Sequence, residues 1–281
     1  MAEPITRRQM TAGALASFAV SRVSPLLSFW VFGLLKPTVL NVYAQENFRL
    51  HCQSLDGNAI VEGNRALRID ARTTPVSVAA ADGGPVALLL EIPGVIRRRY
   101  FGKLAISCAG HLLQPVVSME REVAVASIVA AELPLHATPI PALCAQAVAV
   151  RSFLSAARQP RHSGAQFCDT THCQFLRGTV LPGSPVERAA RLTAGSALHT
   201  VSAIIPAHYS AACGGQTGSA ELDNYRYSSV ICESCRRDHV ARRGHGLGLC
   251  QTGAISLARA GWHWEEIVGK YYPGALIGVI G

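Results

Sequence analysis

The pattern of apolar residues changes at Ser118, and this change constrains the fold more than any other feature of the 281-residue chain. Before it, short runs of strand-forming residues are separated by turn sequences such as Asp82-Gly83-Gly84. After it, longer stretches rich in alanine and valine have the length and composition of helices. The sequence therefore predicts an α+β protein, with a β-rich N-terminal lobe at 25–118 and a mixed α/β lobe at 119–281.

Two helices are predicted directly after this change. The first covers Met119 to Leu133, with Ser118 as its N-cap, and it ends where it does because a proline follows. The second has Thr138 as N-cap, Pro139 as its first residue, and extends to about Arg158. A loop rich in cysteine and histidine then follows.

The N-terminal segment at 1–24 has the features of an export signal. Arg7-Arg8 precedes an uncharged run of small and apolar residues at 11–20, as in a twin-arginine leader. That run is too short to span a bilayer. The next apolar run, Pro25 to Leu35, is interpreted as the first strands of the folded domain in preference to a membrane anchor. We therefore expect a periplasmic or cell-envelope protein with no stable membrane span.

The chain is basic, with a formal net charge of +8, while 49% of its residues are hydrophobic. The hydrophobic content indicates a globular protein, and the charge favours anionic partners. The tightest basic run, Arg97-Arg98-Arg99, is not interleaved with aromatic residues as in a surface that stacks bases. Nucleic acid is therefore not expected as a partner, because net charge alone supports it.

Five segments with distinctive residues follow one another in the chain: Ile128–Pro134, Ala142–Phe153, Cys168–Gln174, Cys213–Thr217 and Gly244–Ala254, followed by Tyr271–Gly274. In this order they resemble motifs of the SpoIID/LytB family, which acts on peptidoglycan, so the chain resembles that family over 119–274. The second segment departs from the family pattern at two positions, where Cys144 replaces a lysine and Pro141 replaces a glutamate.

The resemblance implies that the second lobe is catalytic, forms a substrate cleft and carries a general acid at Glu132. Family members of the SpoIID type are lytic transglycosylases, which cleave the MurNAc-GlcNAc bond of glycan strands. Apolar neighbours predict a partly desolvated carboxyl with a raised pKa. Glu120 and Glu122 remain alternatives. A non-catalytic role also remains open, in which a LytB-like protein binds the wall and enhances an amidase, and other wall hydrolases are then partners.

Five residues are candidates for binding substrate, and four of them lie in these motifs. Gln146 and Arg151 are five positions apart on one helix, about 140° around its axis, so at most one of them faces the cleft. Arg151 is the preferred one, because a guanidinium suits the lactyl carboxylate of glycan strands without stem peptides. A structural ion pair is the alternative for it. The other candidates are His245, which lies between two glycines, Tyr209 and Gln251.

Nine cysteines are many for this length, and because the number is odd at least one of them has no disulfide partner within the chain. His162, Cys168, His172 and Cys173 have the donor set of a tetrahedral zinc site, and some family members bind zinc in this loop. Such a site has no open position, so the zinc is expected to be structural, and no organic cofactor is predicted. A Cys168–Cys173 disulfide is the alternative.

A second cysteine group contains Cys213, Cys232, Cys235 and Cys250. Four thiolates can bind another zinc, whereas disulfides such as Cys213–Cys250 or Cys232–Cys235 fit the spacing equally well. The remaining thiols, Cys52, Cys108 and Cys144, are predicted to be buried.

Overall fold

The computed structural model describes residues 26–45, 48–157, 160–222 and 225–280, and it has the predicted α+β architecture. The proposed leader at 1–24 and the expected helix end at Arg158 lie outside the described residues. The N-terminal strands are β1 (Leu26–Trp30), β2 (Val39–Ala44), β3 (Arg49–Ser54), β4 (Gly57–Glu62), β5 (Ala66–Asp70), β6 (Val76–Ala79), β7 (Val86–Ile92), β8 (Ile96–Ala109) and β9 (Leu112–Glu120).

The second part of the chain contains the longer helices and several short strands. Its elements are α1 (Arg121–Glu132), α2 (Ile140–Ala156), β10 (Phe167–Cys168), α3 (Pro185–Leu192), β11 (Ser196–His199), β12 (Tyr209–Ser210), β13 (Ala220–Leu222), β14 (Tyr225–Tyr227), α4 (Glu233–Arg237), β15 (Leu249–Cys250), α5 (Gln251–Arg259), α6 (Trp264–Tyr271) and β16 (Leu276–Val279). No helix among the described residues is both long and apolar enough to cross a membrane.

The longest strand, β8, organises the N-terminal sheet. Its first half pairs antiparallel with β7, and its second half pairs with both β6 and β9. Strand β9 in turn pairs with β1, and the short strand β10 adds parallel to the other edge of β1. Because Trp30 is the register partner of Cys168, this last pairing attaches the cysteine- and histidine-rich loop to the edge of the sheet.

The predicted start of the first helix is wrong. Residues 118 and 119 belong to β9, where Ser118 pairs with Ser28 and Met119 with Leu27, so α1 begins only at Arg121. Pairing with a strand that is distant in sequence outweighs the capping preference of Ser118. The predicted end is confirmed, because Leu133 has extended backbone before Pro134.

Helix α2 begins one residue later than predicted, with Pro139 at the N-cap, while the Thr138 hydroxyl donates to the Pro134 carbonyl. Every residue from Ala142 to Leu154 is buried. One side of α2 packs in the core formed with the N-terminal sheet, and the other packs in a second core formed with α5 and α6. Its many alanines allow neighbouring elements to approach from both sides.

The guanidinium of Arg151 on α2 is fully buried and joins three other elements. Its Nε and Nη2 donate to the two carboxylate oxygens of Glu122, in the first turn of α1, at 2.8 and 2.6 Å. Its remaining donors reach the backbone carbonyls of Ala190 on α3 and Ser196 on β11, both at 3.0 Å. This bidentate pair fixes α1 against α2.

We expect Arg151→Ala to lower the free energy of unfolding by roughly 3 kcal/mol, because it leaves Glu122 and two carbonyls without their donor. Chemical denaturation of the purified variant measures this change. Arg49→Ala is the matched control, since Arg49 pairs with Glu62 on the exposed surface, and it is expected to change stability by less than about 1 kcal/mol. Equal effects of the two substitutions would contradict the structural role of Arg151.

Candidate functional site

A cavity of about 430 Å³ lies where the end of α1, the loop after β10 and strand β12 meet. Aromatic rings and many polar or charged side chains form its walls. The lining residues are Glu132, Phe153, Arg161, Thr171, His172, Cys173, Gln174, Phe175, His208, Tyr209, Ser210, Ala211, Arg243, Gly244 and His245.

Glu132 is the last residue of α1 and presents a half-buried carboxyl to this cavity. Burial raises its pKa above the ordinary value, because desolvation disfavours the anion. The side-chain amide of Gln251 donates to Oε2 at 3.4 Å and partly opposes this rise. Within the described part of the chain, Oε1 has no hydrogen-bond partner, so a proton carried there is available to a ligand.

Gln251 reaches Glu132 because of a short strand pair. Strand β15 lies parallel to β12, with Leu249 opposite Tyr209, and α5 begins immediately after it at Gln251. The pairing thus brings segments about forty residues apart in sequence to the same wall of the cavity. The Gln251 side chain is buried, which limits its rotamers and keeps its amide near the carboxyl.

Tyr209 connects two walls of the cavity. Its hydroxyl donates a short hydrogen bond to Oε1 of the buried Gln174, which follows the cysteine- and histidine-rich loop. Burial and the nearby Glu132 carboxylate both raise the pKa of Tyr209 well above its ordinary value. Tyr209 therefore remains a neutral phenol near neutral pH.

His245 lies on a loop in which Gly244 and Gly246 have positive φ angles of 92° and 75°. Its Nδ1 accepts a hydrogen bond from the Leu247 amide at 3.0 Å, so the neutral ring has its proton on Nε2. Desolvation by the surrounding side chains lowers the pKa of His245, although the residue as a whole is exposed. The ring packs edge-on against His208, with centroids 5.4 Å apart.

Three predicted substrate-binding residues, Arg151, Gln146 and Gln251, are not among the residues that line the cavity. Gln251 contacts Glu132 instead. Arg151 is fully buried, with all three nitrogens bonded within the protein, so the prediction that it contacts a substrate carboxylate is corrected in favour of the ion pair. Gln146 is also fully buried, and among the described residues neither of its amide atoms has a hydrogen-bond partner. The spacing of Gln146 and Arg151 on one helix predicted that at most one of them faces the cleft. In the structure neither of them reaches the cavity.

The cavity also contains residues that the motif comparison did not select. Arg161 and Arg243 are exposed cations on its rim, and the Arg161 guanidinium lies 5.2 Å from the centroid of the Phe153 ring. Gln174, Phe175 and His208 complete the wall. The basic pair at 242–243 was visible in the sequence, but nothing local indicated which of the many arginines would reach a ligand.

The structure brings together the four residues of the first predicted metal site, His162, Cys168, His172 and Cys173. The ligand atoms of all four residues lie within 4.8 Å of one another. Cys173 Sγ is 3.1 Å from His162 Nε2 and 3.4 Å from His172 Nδ1, and Cys168 Sγ is 3.9 Å from that same Nδ1. A tetrahedral ion with these donors separates nitrogen from sulfur by about 3.5 Å, so the set fits a metal ion. His172 and Cys173 also line the cavity.

The second cysteine group converges as well, with all four sulfur atoms within 4.8 Å of one another and all four residues buried. Of the remaining thiols, Cys52 and Cys144 are buried as predicted. Cys108 is exposed near the end of β8, so that prediction is wrong.

Residues 110–199 match the family model described as SpoIID, stage II sporulation protein. No curated protein matches the chain. The matched segment contains α1 with Glu132 at its end, α2, and the four residues of the first predicted metal site. This match bears out the predicted resemblance to the SpoIID family for that segment, and the resemblance is consistent with a function at the cell wall.

The pKa of Glu132 provides a test of this geometry that needs no substrate. We expect a value above the ordinary one in the native protein, measured by NMR titration of the carboxyl carbon. Gln251→Ala should raise the pKa further, because the amide donor stabilises the anion. Gln114→Ala, on a strand of the N-terminal sheet, is the control and should leave it unchanged. An ordinary pKa in the native protein would contradict the described burial.

Proposed function

We propose that this protein is a peptidoglycan lytic transglycosylase, which cleaves the MurNAc-GlcNAc bond of glycan strands with Glu132 as general acid and then base. One observation carries the proposal. Among the described residues that line the cavity, Glu132 is the only carboxylate, and its pKa is raised by burial. The match to the SpoIID family supports the same activity.

A single carboxylate distinguishes this chemistry from ordinary glycoside hydrolysis, which needs a second one to activate water or attack the sugar. The nearby candidates are engaged elsewhere: Glu122 binds Arg151, and Asp169 binds Arg98 at 2.8 Å. Glu120 precedes α1, about 18 Å from Glu132 along the helix. None of the three lines the cavity.

The proposed reaction balances without water. Protonated Glu132 donates its proton to the glycosidic oxygen as the bond to muramic C1 breaks, and the glucosamine hydroxyl is released. The C6 hydroxyl of the same muramic residue then attacks C1, and its proton passes to the Glu132 carboxylate. The product is a 1,6-anhydro ring, and Glu132 is again protonated. A raised pKa favours both transfers near neutral pH.

Neutral donors and cations around Glu132 suit a sugar chain with regular carboxylates. Tyr209 and the Nε2–H of His245 are uncharged hydrogen-bonding groups, as neutral sugar hydroxyls and acetamides require. Arg161 and Arg243 on the rim suit the lactyl carboxylates that are exposed when stem peptides have been removed. We therefore propose denuded glycan strands as the preferred substrate.

The residues that would hold zinc in the first cluster are His162, Cys168, His172 and Cys173. Zinc bound by four protein ligands supplies crosslinking of the loop and not a metal-bound water. In this proposal the loop presents Gln174 and Phe175 to the cavity. The proposed location is the cell envelope, reached through the leader at 1–24, and other wall hydrolases are proposed partners.

Glu132→Gln tests the proposal directly. We expect release of anhydromuropeptides to fall by at least about 100-fold, since general acid catalysis contributes that much or more. Binding of glycan strands should persist, because the amide is nearly isosteric. The measurement is mass spectrometry of digested glycan, with a sedimentation assay for binding. Glu120→Gln is the matched control and should cleave normally. Unchanged cleavage by Glu132→Gln would exclude this residue as the acid, and a native protein that binds without cleaving would indicate the LytB-like role.

Arg243→Ala should weaken binding of denuded glycan by about two- to fivefold, as expected for one exposed ion pair. Rising salt should weaken native binding in the same direction, because it screens the charges. Arg226→Ala, an exposed arginine on β14 outside the cavity, is the control. Neutral chitin oligosaccharides should be insensitive to Arg243→Ala and to salt. Identical behaviour of chitin and denuded glycan would contradict charge recognition.

A further inference from the structure

The second cysteine group joins three segments that are separate in sequence. Cys213 follows β12, Cys232 and Cys235 belong to the turn that opens α4, and Cys250 ends β15. Each of the four residues is at most 1% exposed, and their sulfur atoms all lie within 4.8 Å of one another. This convergence needs an explanation, because buried thiols that only fill space have no reason to meet at one point.

The sulfur spacing is that of a common central ion. Zinc–sulfur bonds are about 2.3 Å long, so a tetrahedron of thiolates separates its sulfurs by about 3.8 Å. Cys235 and Cys250 are 3.6 Å apart. Two disulfides would require only that each sulfur meet one partner, and they give no reason for all four to converge.

A backbone donor meets the cluster in the manner expected for a thiolate. The Gly253 amide donates to Cys250 Sγ at 3.4 Å, at the N-terminus of α5. Hydrogen bonds from N–H groups stabilise metal-bound thiolates, whereas a disulfide has no comparable need for them.

The first turn of α5 is also shaped around the sulfurs. A Cβ atom on Gly253 would lie 2.6 Å from Cys232 Sγ and would collide with the Tyr271 hydroxyl, so only glycine leaves room for the cluster. That hydroxyl is itself 3.5 Å from Cys232 Sγ. The site is therefore closed on the side of α5 and α6.

We infer that Cys213, Cys232, Cys235 and Cys250 bind a structural zinc ion through four thiolates, and that this ion positions the wall of the cavity opposite the loop after β10. Tyr209 lies four residues before Cys213, His245 lies between Cys235 and Cys250, and Gln251 directly follows Cys250. The inference rests on the cysteine geometry and does not require the proposed catalytic activity. Together with the first cluster, it gives the cavity a metal-binding wall on each side.

Metal analysis of the purified full chain tests the inference. Cys235→Ser should contain about one zinc per chain less than the native protein, and Cys108→Ser, the matched control outside both clusters, should contain as much as the native protein. Cys168→Ser removes a ligand of the first cluster only. When this variant is loaded with cobalt, its absorption should show the thiolate-to-metal bands of four-sulfur ligation.

Two measurements on unmodified protein keep the test decisive if Cys235→Ser does not fold. X-ray absorption at the zinc edge should include an all-sulfur environment, and the four thiols should resist alkylation until a chelator is added. Non-reducing peptide mapping that finds Cys213, Cys232, Cys235 or Cys250 in a disulfide would overturn the inference. So would native protein whose bound zinc is accounted for by the first cluster alone.

The positioning role has its own readout, the pKa of Glu132. In Cys235→Ser we expect this pKa to rise as it does in Gln251→Ala, because displaced Gln251 no longer donates to the carboxylate. Cys108→Ser should leave it unchanged. A Cys235→Ser protein that is folded, lacks this zinc and still has the native pKa of Glu132 would show that the ion does not position Gln251.

Discussion

The ion pair between the buried Arg151 and the partly exposed Glu122 is the interaction on which the arrangement of the helices depends. Burying a guanidinium is costly unless its donors are satisfied, and here a bidentate carboxylate and two carbonyls satisfy them. Because the four partners belong to α1, α2, α3 and β11, the pair permits essentially one packing of these elements. The position of Glu132 at the far end of α1 follows from that packing.

Short strand pairs then build the cavity around Glu132. The pairing of β1 with β10 attaches the loop with His162, Cys168, His172 and Cys173 to the large sheet, and the pairing of β12 with β15 brings Tyr209 beside Gln251. Strands of two residues have little stability of their own. The two cysteine-containing clusters lie directly beside these pairs, so metal ions bound there would stabilise the walls that the backbone alone holds weakly.

Local signals in the sequence predicted some of these features well. Pro134 fixed the end of α1, and therefore the position of Glu132, because the steric effect of proline acts on its immediate neighbour. Spacing also identified both cysteine groups, since their ligands are few and chemically distinctive. The predicted start of α1 was wrong because residues 118 and 119 pair with Ser28 and Leu27, which lie about ninety positions away in the sequence.

The role of Arg151 could not be read from the sequence for the same reason. Its partners lie twenty-nine, thirty-nine and forty-five residues away, and no local pattern distinguishes an arginine that binds substrate from one that binds the protein itself. The arginines that do reach the cavity, Arg161 and Arg243, lie on loops whose course is set by tertiary contacts. Glu132 and the cysteine groups were thus easier to predict from the sequence than the arginines that line the cavity.

In the proposed reaction one carboxylate acts without water, and digestion of glycan strands in water enriched in oxygen-18 tests this most directly. If Glu132 works alone, mass spectrometry of the products should find 1,6-anhydromuramic ends that contain no heavy oxygen from the solvent. Reducing ends that carry one oxygen-18 atom each would mean that water attacks the sugar, and would contradict the account.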